Sequence, residues 1–140
     1  MSTQIHGGCN CGQHKFTIPS PTEMNLCHCI DCCKWAGAFH SAHLMMSTSV
    51  IKSEGPTPKT YTVKADSGNT MERAWCNNCG AGIWIRQIEE EGKEPERTNL
   101  KAGLFERQEV CGPTMENWMK NMMPWETPAK GTKRQAVDGN

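Results

Sequence analysis

The chain has 140 residues, a length that suits one compact domain better than two. Fifteen basic and fifteen acidic side chains balance, so no net charge attracts nucleic acid or an anionic membrane. Hydrophobic residues make up 36% of the chain, and no apolar run approaches the ~20 residues that span a bilayer. We therefore expect neither a nucleic-acid partner nor a membrane partner.

The first residues, MSTQIHGGCN, lack the basic and apolar regions of a secretory signal, which favours a cytoplasmic location. In a reducing compartment, the nine cysteines are better explained as metal ligands or catalytic thiols than as disulfides. Export without a leader would reopen the disulfide interpretation.

Short, turn-bounded stretches of alternating or β-rich sequence predict a mainly β fold with antiparallel strand pairing. In chain order, the predicted strands are 14–18, 23–26, 38–45, 59–64, 71–75, 83–87 and 99–104. Residues 88–97 predict a solvated loop. Residues 114–123 predict one short C-terminal helix, with apolar side chains at helical spacing and Pro124 as its stop. We expect a single domain over residues 1–128 and a flexible polar tail over 129–140.

Eight of the nine cysteines fall into three short groups, and only one stands alone. Glycines flank the first and third groups, where tight turns let two thiolates approach one ion. Two such pairs from distant segments complete a closed tetrahedral zinc site of the structural kind. The pairs that predict this site are Cys9 with Cys11 (GGCNCG) and Cys76 with Cys79 (WCNNCG).

The middle group (CHCIDCC) offers three thiolates, Cys27, Cys29 and Cys32, and no comparable second group completes them. Three ligands leave one corner of a tetrahedron open, which is typical of catalytic rather than structural zinc. Cys33, Cys111 or a histidine could instead close the site and make the ion structural.

The ordered motifs GGCNCG, CHCIDCCKWAGA and WCNNCGAGI resemble the glutathione-dependent formaldehyde-activating enzyme family, which also contains centromere protein V. The resemblance implies a single small zinc-stabilised domain, an all-β fold of several twisted antiparallel sheets, with two zinc ions. It implies that one ion is held by Cys9, Cys11, Cys76 and Cys79, and the other by Cys27, Cys29 and Cys32. It also implies carbon–sulfur lyase chemistry at the three-cysteine zinc, with glutathione as a candidate substrate.

Two functions of different classes follow. In the first, the protein is a lyase, and the open zinc binds a substrate thiolate or polarises an oxygen, so that a carbon–sulfur bond forms or breaks or water is eliminated. Its substrate would be a small molecule such as glutathione or a glutathione adduct. In the second, the metal only stabilises a non-catalytic structural or interaction module, since zinc binding supplies folding free energy.

Several other side chains carry weaker expectations. His28, between two zinc-ligand candidates, predicts a hydrogen bond to a thiolate or a proton donor. Lys34 is the cation nearest in sequence to the open site. His6 and His14 are expected to face solvent, and His40 and His43 to point to opposite faces of a strand. An apolar pocket over the open zinc is an alternative role for four aromatic residues, which could form its wall: Trp35, Phe39, Trp118 and Trp125.

Overall fold

The computed structural model describes residues 3–136, which form eleven β-strands, one α-helix and three 3₁₀ turns. The mainly β architecture expected from the sequence is confirmed. The elements are β1 (Gln4–Gly8), β2 (Lys15–Pro19), β3 (Met24–Cys27), α1 (Ile30–Ala36), β4 (Ser41–Ser47), β5 (Lys52–Glu54), β6 (Lys59–Lys64), β7 (Thr70–Trp75), β8 (Gly82–Gln87), β9 (Arg97–Lys101), β10 (Met115–Asn117) and β11 (Lys133–Arg134). The 3₁₀ turns are Thr48–Val50, Ala102–Leu104 and Met119–Asn121.

The strands form two sheets. A three-stranded sheet has the order β1-β2-β5, and an eight-stranded sheet has the order β11-β10-β3-β4-β9-β8-β7-β6. Among the described strands, every pairing is antiparallel except those that β10 makes with β3 and with β11. In this order, β4 and β9 lie between β3 and β8, and β7 follows β8. A contact between α1, which follows β3, and β7 therefore depends on the twist of the sheet.

The main core joins the two sheets. Ile18 from the small sheet and Leu44, Ile83 and Leu100 from the large one are all fully buried, and each such side chain stabilises the fold by about 1.5–3 kcal/mol. Gly7 bridges to Phe105, and a Cβ on Gly7 would lie 2.5 Å from the Phe105 ring. The small sheet therefore approaches the segment after β9 closely at Gly7, where a larger side chain would clash.

The predicted helix over 114–123 is wrong. Its first half is β10, which pairs with β3, and Trp118 then adopts a left-handed conformation with φ 60° that ends regular structure. Glu116 and Asn117 are buried against the sheet, so packing overrides the helical spacing of the apolar residues. The helix that does form, α1, lies in the middle cysteine group, where Cys29 caps its start and Gly37 at φ 66° ends it.

Part of the expected polar tail lies in the large sheet, because Lys133 and Arg134 of β11 pair with β10. Residues 137–140 lie outside the described chain, and the flexibility expected over 129–140 stays a prediction, as does the domain boundary at 128. Between residues 3 and 136, the structure contains no helix long and apolar enough to cross a bilayer.

Candidate metal centres and the adjoining cavity

The structure brings Cys9, Cys11, Cys76 and Cys79 together, with all four sulfurs within 4.8 Å of one another. The Cys9 and Cys11 sulfurs lie 3.6 Å apart, and those of Cys11 and Cys76 lie 3.7 Å apart. Zn–S bonds of about 2.3 Å imply a tetrahedral edge of about 3.8 Å. The four sulfurs therefore fit a tetrahedral ion, and the group could hold a metal.

Backbone N–H groups point at these sulfurs. Cys9 accepts from the His14 amide at 3.4 Å, and Cys76 accepts from the Asn78 and Cys79 amides at 3.4 and 3.5 Å. Such donors stabilise thiolates, the form that binds metal. The expectation that His14 faces solvent is wrong: it is buried, and one ring nitrogen lies 3.0 Å from the Pro56 carbonyl oxygen.

The structure also brings Cys27, Cys29 and Cys32 within 4.8 Å of one another. Cys27 ends β3, Cys29 caps α1, and the Cys29 sulfur accepts from the Cys32 amide at 3.2 Å. The Cys33 thiol instead donates to the His28 carbonyl at 3.6 Å, and Cys111 packs against the main core. Within residues 3–136, neither cysteine joins the three sulfurs, so the group keeps three donors.

The three thiols perturb one another. Hydrogen bonds from Cys27 and Cys29, together with the Arg73 charge, lower the pKa of Cys32 to about 3. Hydrogen bonds from Cys29 and Cys32, together with burial, raise the pKa of Cys27 far above its usual range. The protein alone therefore stabilises one thiolate in the group but not three. A divalent cation suits this donor set because it would offset the mutual repulsion of all three.

Arg73, on β7, is the cation that lies against this group. Its Nη2 atom is 3.3 Å from the Cys32 sulfur and 4.0 Å from the Cys29 sulfur, and the residue is 5% exposed. Burial opposes its charge, but the Cys32 and Cys29 sulfurs raise the pKa of Arg73 overall. Lys34, the cation nearest in sequence, is exposed, whereas the buried Arg73 contacts the sulfurs.

A second cation lies close by. The Lys101 ammonium group sits 4.5 Å from the centre of the Trp35 ring and donates to Ser41 Oγ. Ser41 Oγ lies 2.8 Å from His43 Nε2, and both residues are buried. Burial, followed by the charges of Lys101 and Arg73, lowers the pKa of His43 to about 3, so His43 is neutral.

A cavity of about 670 Å³ adjoins the three-cysteine group. Its wall is more polar than the aromatic pocket that the sequence offered as an alternative. Of the four aromatic residues, only Trp118 lines it, whereas Phe39 and Trp125 pack edge to face on the exposed surface at 5.2 Å. Within the described chain, two buried amide oxygens on its wall, Asn25 Oδ1 and Asn117 Oδ1, have no hydrogen-bond partner. Residues on the cavity wall include Cys27, Cys29, Cys32, His43, Arg73, Arg86, Arg97 and Asn99.

Sequence reasoning found the sulfurs but missed Arg73, Lys101, Ser41 and His43. These residues come from three strands, β7, β9 and β4, that are distant in the chain. The sequence alone does not distinguish a charged strand residue that is buried at a site from one that faces solvent. The alternating pattern of β7 offered a weak clue, because it places Arg73 on the same strand face as the apolar residues Met71 and Trp75.

Three comparisons place the chain among known proteins. Residues 4–121 match the family model described as glutathione-dependent formaldehyde-activating enzyme. A protein of Halomonas elongata, provisionally named a glutathione-dependent formaldehyde-activating enzyme, is 27% identical over 86 residues, which is 58% of this chain. That alignment spans 55% of the length of the relative. A crystal structure of a Rhodobacter sphaeroides protein has the same fold, with a TM-score of 0.53, 13% identity, and coverage of 74% of this chain and 89% of the other.

Proposed function

Because the chain belongs to the glutathione-dependent formaldehyde-activating enzyme family, we propose that it is a zinc-dependent carbon–sulfur lyase. Its substrate is glutathione, a glutathione adduct or another small thiol adduct, and a related elimination belongs to the same chemistry. The observation that carries this proposal is the three-cysteine group, which opens onto a cavity large enough for such a molecule. A purely structural metal would have no need of that cavity.

The two groups of cysteines have different roles in this proposal. Cys9, Cys11, Cys76 and Cys79 hold a structural zinc that fastens the turn after β1 to the turn between β7 and β8. Cys27, Cys29 and Cys32 hold the catalytic zinc. An ion there would supply a Lewis-acidic position for a substrate thiolate or a carbonyl oxygen.

Protein charges prepare this site for an anionic thiol. Three thiolates carry more negative charge than one divalent cation neutralises, and this excess would oppose a fourth thiolate. Arg73 lies against Cys32 and offsets the excess, while Lys101 adds a second positive charge from β9. Buried Asn25 and Asn117 offer amide oxygens that can accept from N–H groups of a bound substrate. A reducing cytoplasm, which keeps both the cysteines and glutathione reduced, suits this chemistry.

Cobalt-substituted protein tests the proposal directly. Adding millimolar glutathione should change the sulfur-to-cobalt charge-transfer band of the wild type, because a further thiolate joins the open position. Cys29→Ser should lose this response. Cys33→Ser is the matched control and should keep it, because the Cys33 thiol points to a backbone carbonyl. An unchanged wild-type spectrum would favour the structural-module alternative or elimination on a substrate without a thiol.

A further inference from the structure

A third group of side chains could hold a metal ion, and one of its members, His28, lies between Cys27 and Cys29 in the chain. One ring nitrogen each from His28 and His40 and one carboxylate oxygen of Glu126 lie within 4.8 Å of one another. The rings of the two histidines meet edge to face, with centroids 5.5 Å apart. None of these residues belongs to the two cysteine groups, and the proposed lyase chemistry uses none of them.

Buried polar atoms beside this group are left without partners. His28 is 2% exposed and Glu116 is 1% exposed. His28 Nε2 lies 3.5 Å from Glu116 Oε2, but the contact does not have hydrogen-bond geometry, and within residues 3–136 neither atom has a hydrogen-bond partner. A buried carboxylate oxygen and ring nitrogen that stay unpaired cost several kcal/mol in general. Their arrangement therefore calls for a cation.

The other hydrogen bonds of these residues fix which atoms remain free. His28 Nδ1 donates to the Phe39 carbonyl at 3.2 Å, so in a neutral ring Nε2 carries a lone pair that faces Glu116. An N–H to carbonyl bond of this kind commonly orients metal-binding histidines. Glu116 Oε1 accepts from the Ala129 amide at 2.7 Å, and Glu126 Oε2 accepts from the Met123 amide at 2.7 Å. One oxygen of each carboxylate remains available.

We propose that His28, His40 and Glu126, with Glu116 as an additional acidic neighbour, form a third divalent-cation site that takes Zn²⁺. Imidazole nitrogens and carboxylate oxygens are ligands that zinc accepts, whereas calcium and magnesium prefer oxygen alone. The edge-to-face pair of Phe39 and Trp125 lies next in sequence to His40 and Glu126 and flanks this site.

The site joins segments that are distant in the chain. His28 lies in the loop that carries Cys27 and Cys29, His40 precedes β4, and Glu126 follows the last 3₁₀ turn. A cation there fastens the C-terminal segment to the cysteine loop. It would therefore hold the three-cysteine loop in place without touching a substrate.

Metal counting on paired variants tests this site. Native mass spectrometry of protein equilibrated with Zn²⁺ should find one more ion in the wild type than in His40→Ala or in Glu126→Gln. Both residues are at least partly exposed, so neither change should unfold the protein. Zinc affinity at this site should fall at least about tenfold in either variant. His6→Ala and Glu106→Gln, at exposed positions elsewhere, are the matched controls and should keep the wild-type count.

The absorption spectrum of cobalt-substituted protein distinguishes this site from the cysteine groups. Ions bound by nitrogen and oxygen should add d–d absorption without adding a sulfur-to-cobalt charge-transfer band. The difference in metal count between the wild type and the variants does not depend on the lyase proposal, because all of these proteins keep the cysteines. Equal counts in wild type, His40→Ala and Glu126→Gln would overturn the third site. Nitrogen NMR that finds His28 protonated at both ring nitrogens in zinc-saturated protein would also overturn the third site. A His28–Glu116 ion pair would then explain the contact between these two side chains.

Discussion

Arg73→Gln should weaken metal binding at the three-cysteine group and leave the four-cysteine group unchanged. Unit charges 3.3 Å apart, the distance from Arg73 Nη2 to the Cys32 sulfur, attract by roughly 5 kcal/mol at an effective dielectric of about 20. Desolvation of the guanidinium offsets much of this attraction, and a hydrogen bond to a charged group contributes a net of about 1.5–3 kcal/mol. The corresponding loss of affinity, roughly ten- to hundredfold, is an upper limit, because Arg73 already contacts the Cys32 thiolate before metal binds.

A chromophoric zinc chelator provides the assay. Zinc should leave the two cysteine groups in two separate steps, and Arg73→Gln should shift only the step of the three-cysteine group to lower chelator concentration. Arg73→Lys, which keeps the charge but loses the planar fork, should give an intermediate shift.

Arg86→Gln is the matched control, because Arg86 also lines the cavity but is held by Glu72 at 3.3 Å and by the Trp84 ring at 3.9 Å. It should release zinc as the wild type does. Equal release from Arg73→Gln and the wild type, or equal weakening by both glutamine variants, would refute the electrostatic argument.

Three further predictions concern metal and stability. Protein purified under reducing conditions should carry zinc at both cysteine groups, with the four-cysteine ion resisting mild chelators; native mass spectrometry that finds disulfides instead would contradict this. Cys79→Ser should lower the thermal midpoint more than Cys29→Ser, since it breaks the closed site; equal losses in calorimetry would remove the distinction between the sites. Burial, then Lys101 and Arg73, lower the folded-state pKa of His43 from 6.5 to about 3, so below pH 6.5 only the unfolded chain gains this proton. The unfolding free energy of wild type relative to His43→Gln should therefore fall as the pH drops from 6.5 toward 3, by at most about 1.4 kcal/mol per unit; parallel urea-melt values at every pH would exclude this.

Local sequence pattern predicted most of the sheet. Strand β6 occupies the predicted residues 59–64, and β2, β3, β4, β7 and β8 lie within a few residues of their predicted ranges. Turn-forming residues and alternating burial are local signals, as in β2, where Phe16 and Ile18 point inward. The short strands β1, β5, β10 and β11 were missed, because two to five residues with little alternation carry too weak a signal.

The two errors in the helices have physical causes. Apolar spacing predicted a helix after Thr114, but pairing with β3 and burial of Glu116 favour a strand there. The true helix, α1, has only seven residues and lies among cysteines whose spacing was explained by metal. Gly37, which ends it, was the one local signal of a helix terminus.

The residues of the candidate site also fall into those that local sequence predicts and those that depend on the tertiary fold. Cysteine spacing anticipated both sulfur groups, because ligands on one turn must be close in sequence. Arg73 and Lys101 could not be anticipated, because their approach depends on the order and twist of strands β7, β8, β9 and β4.

The cavity is built from parts that can change independently. Its sulfur end belongs to β3 and α1, whereas its outer edge includes Asp66 and Asn69 from the β6–β7 turn and Glu89 and Glu96 from the β8–β9 loop. Surface turns accept substitution and insertion more readily than core strands do. Evolution, or a protein engineer, can therefore alter which molecules enter this cavity by changing the sequences of two turns, while every cysteine and the arginine beside them stay in place.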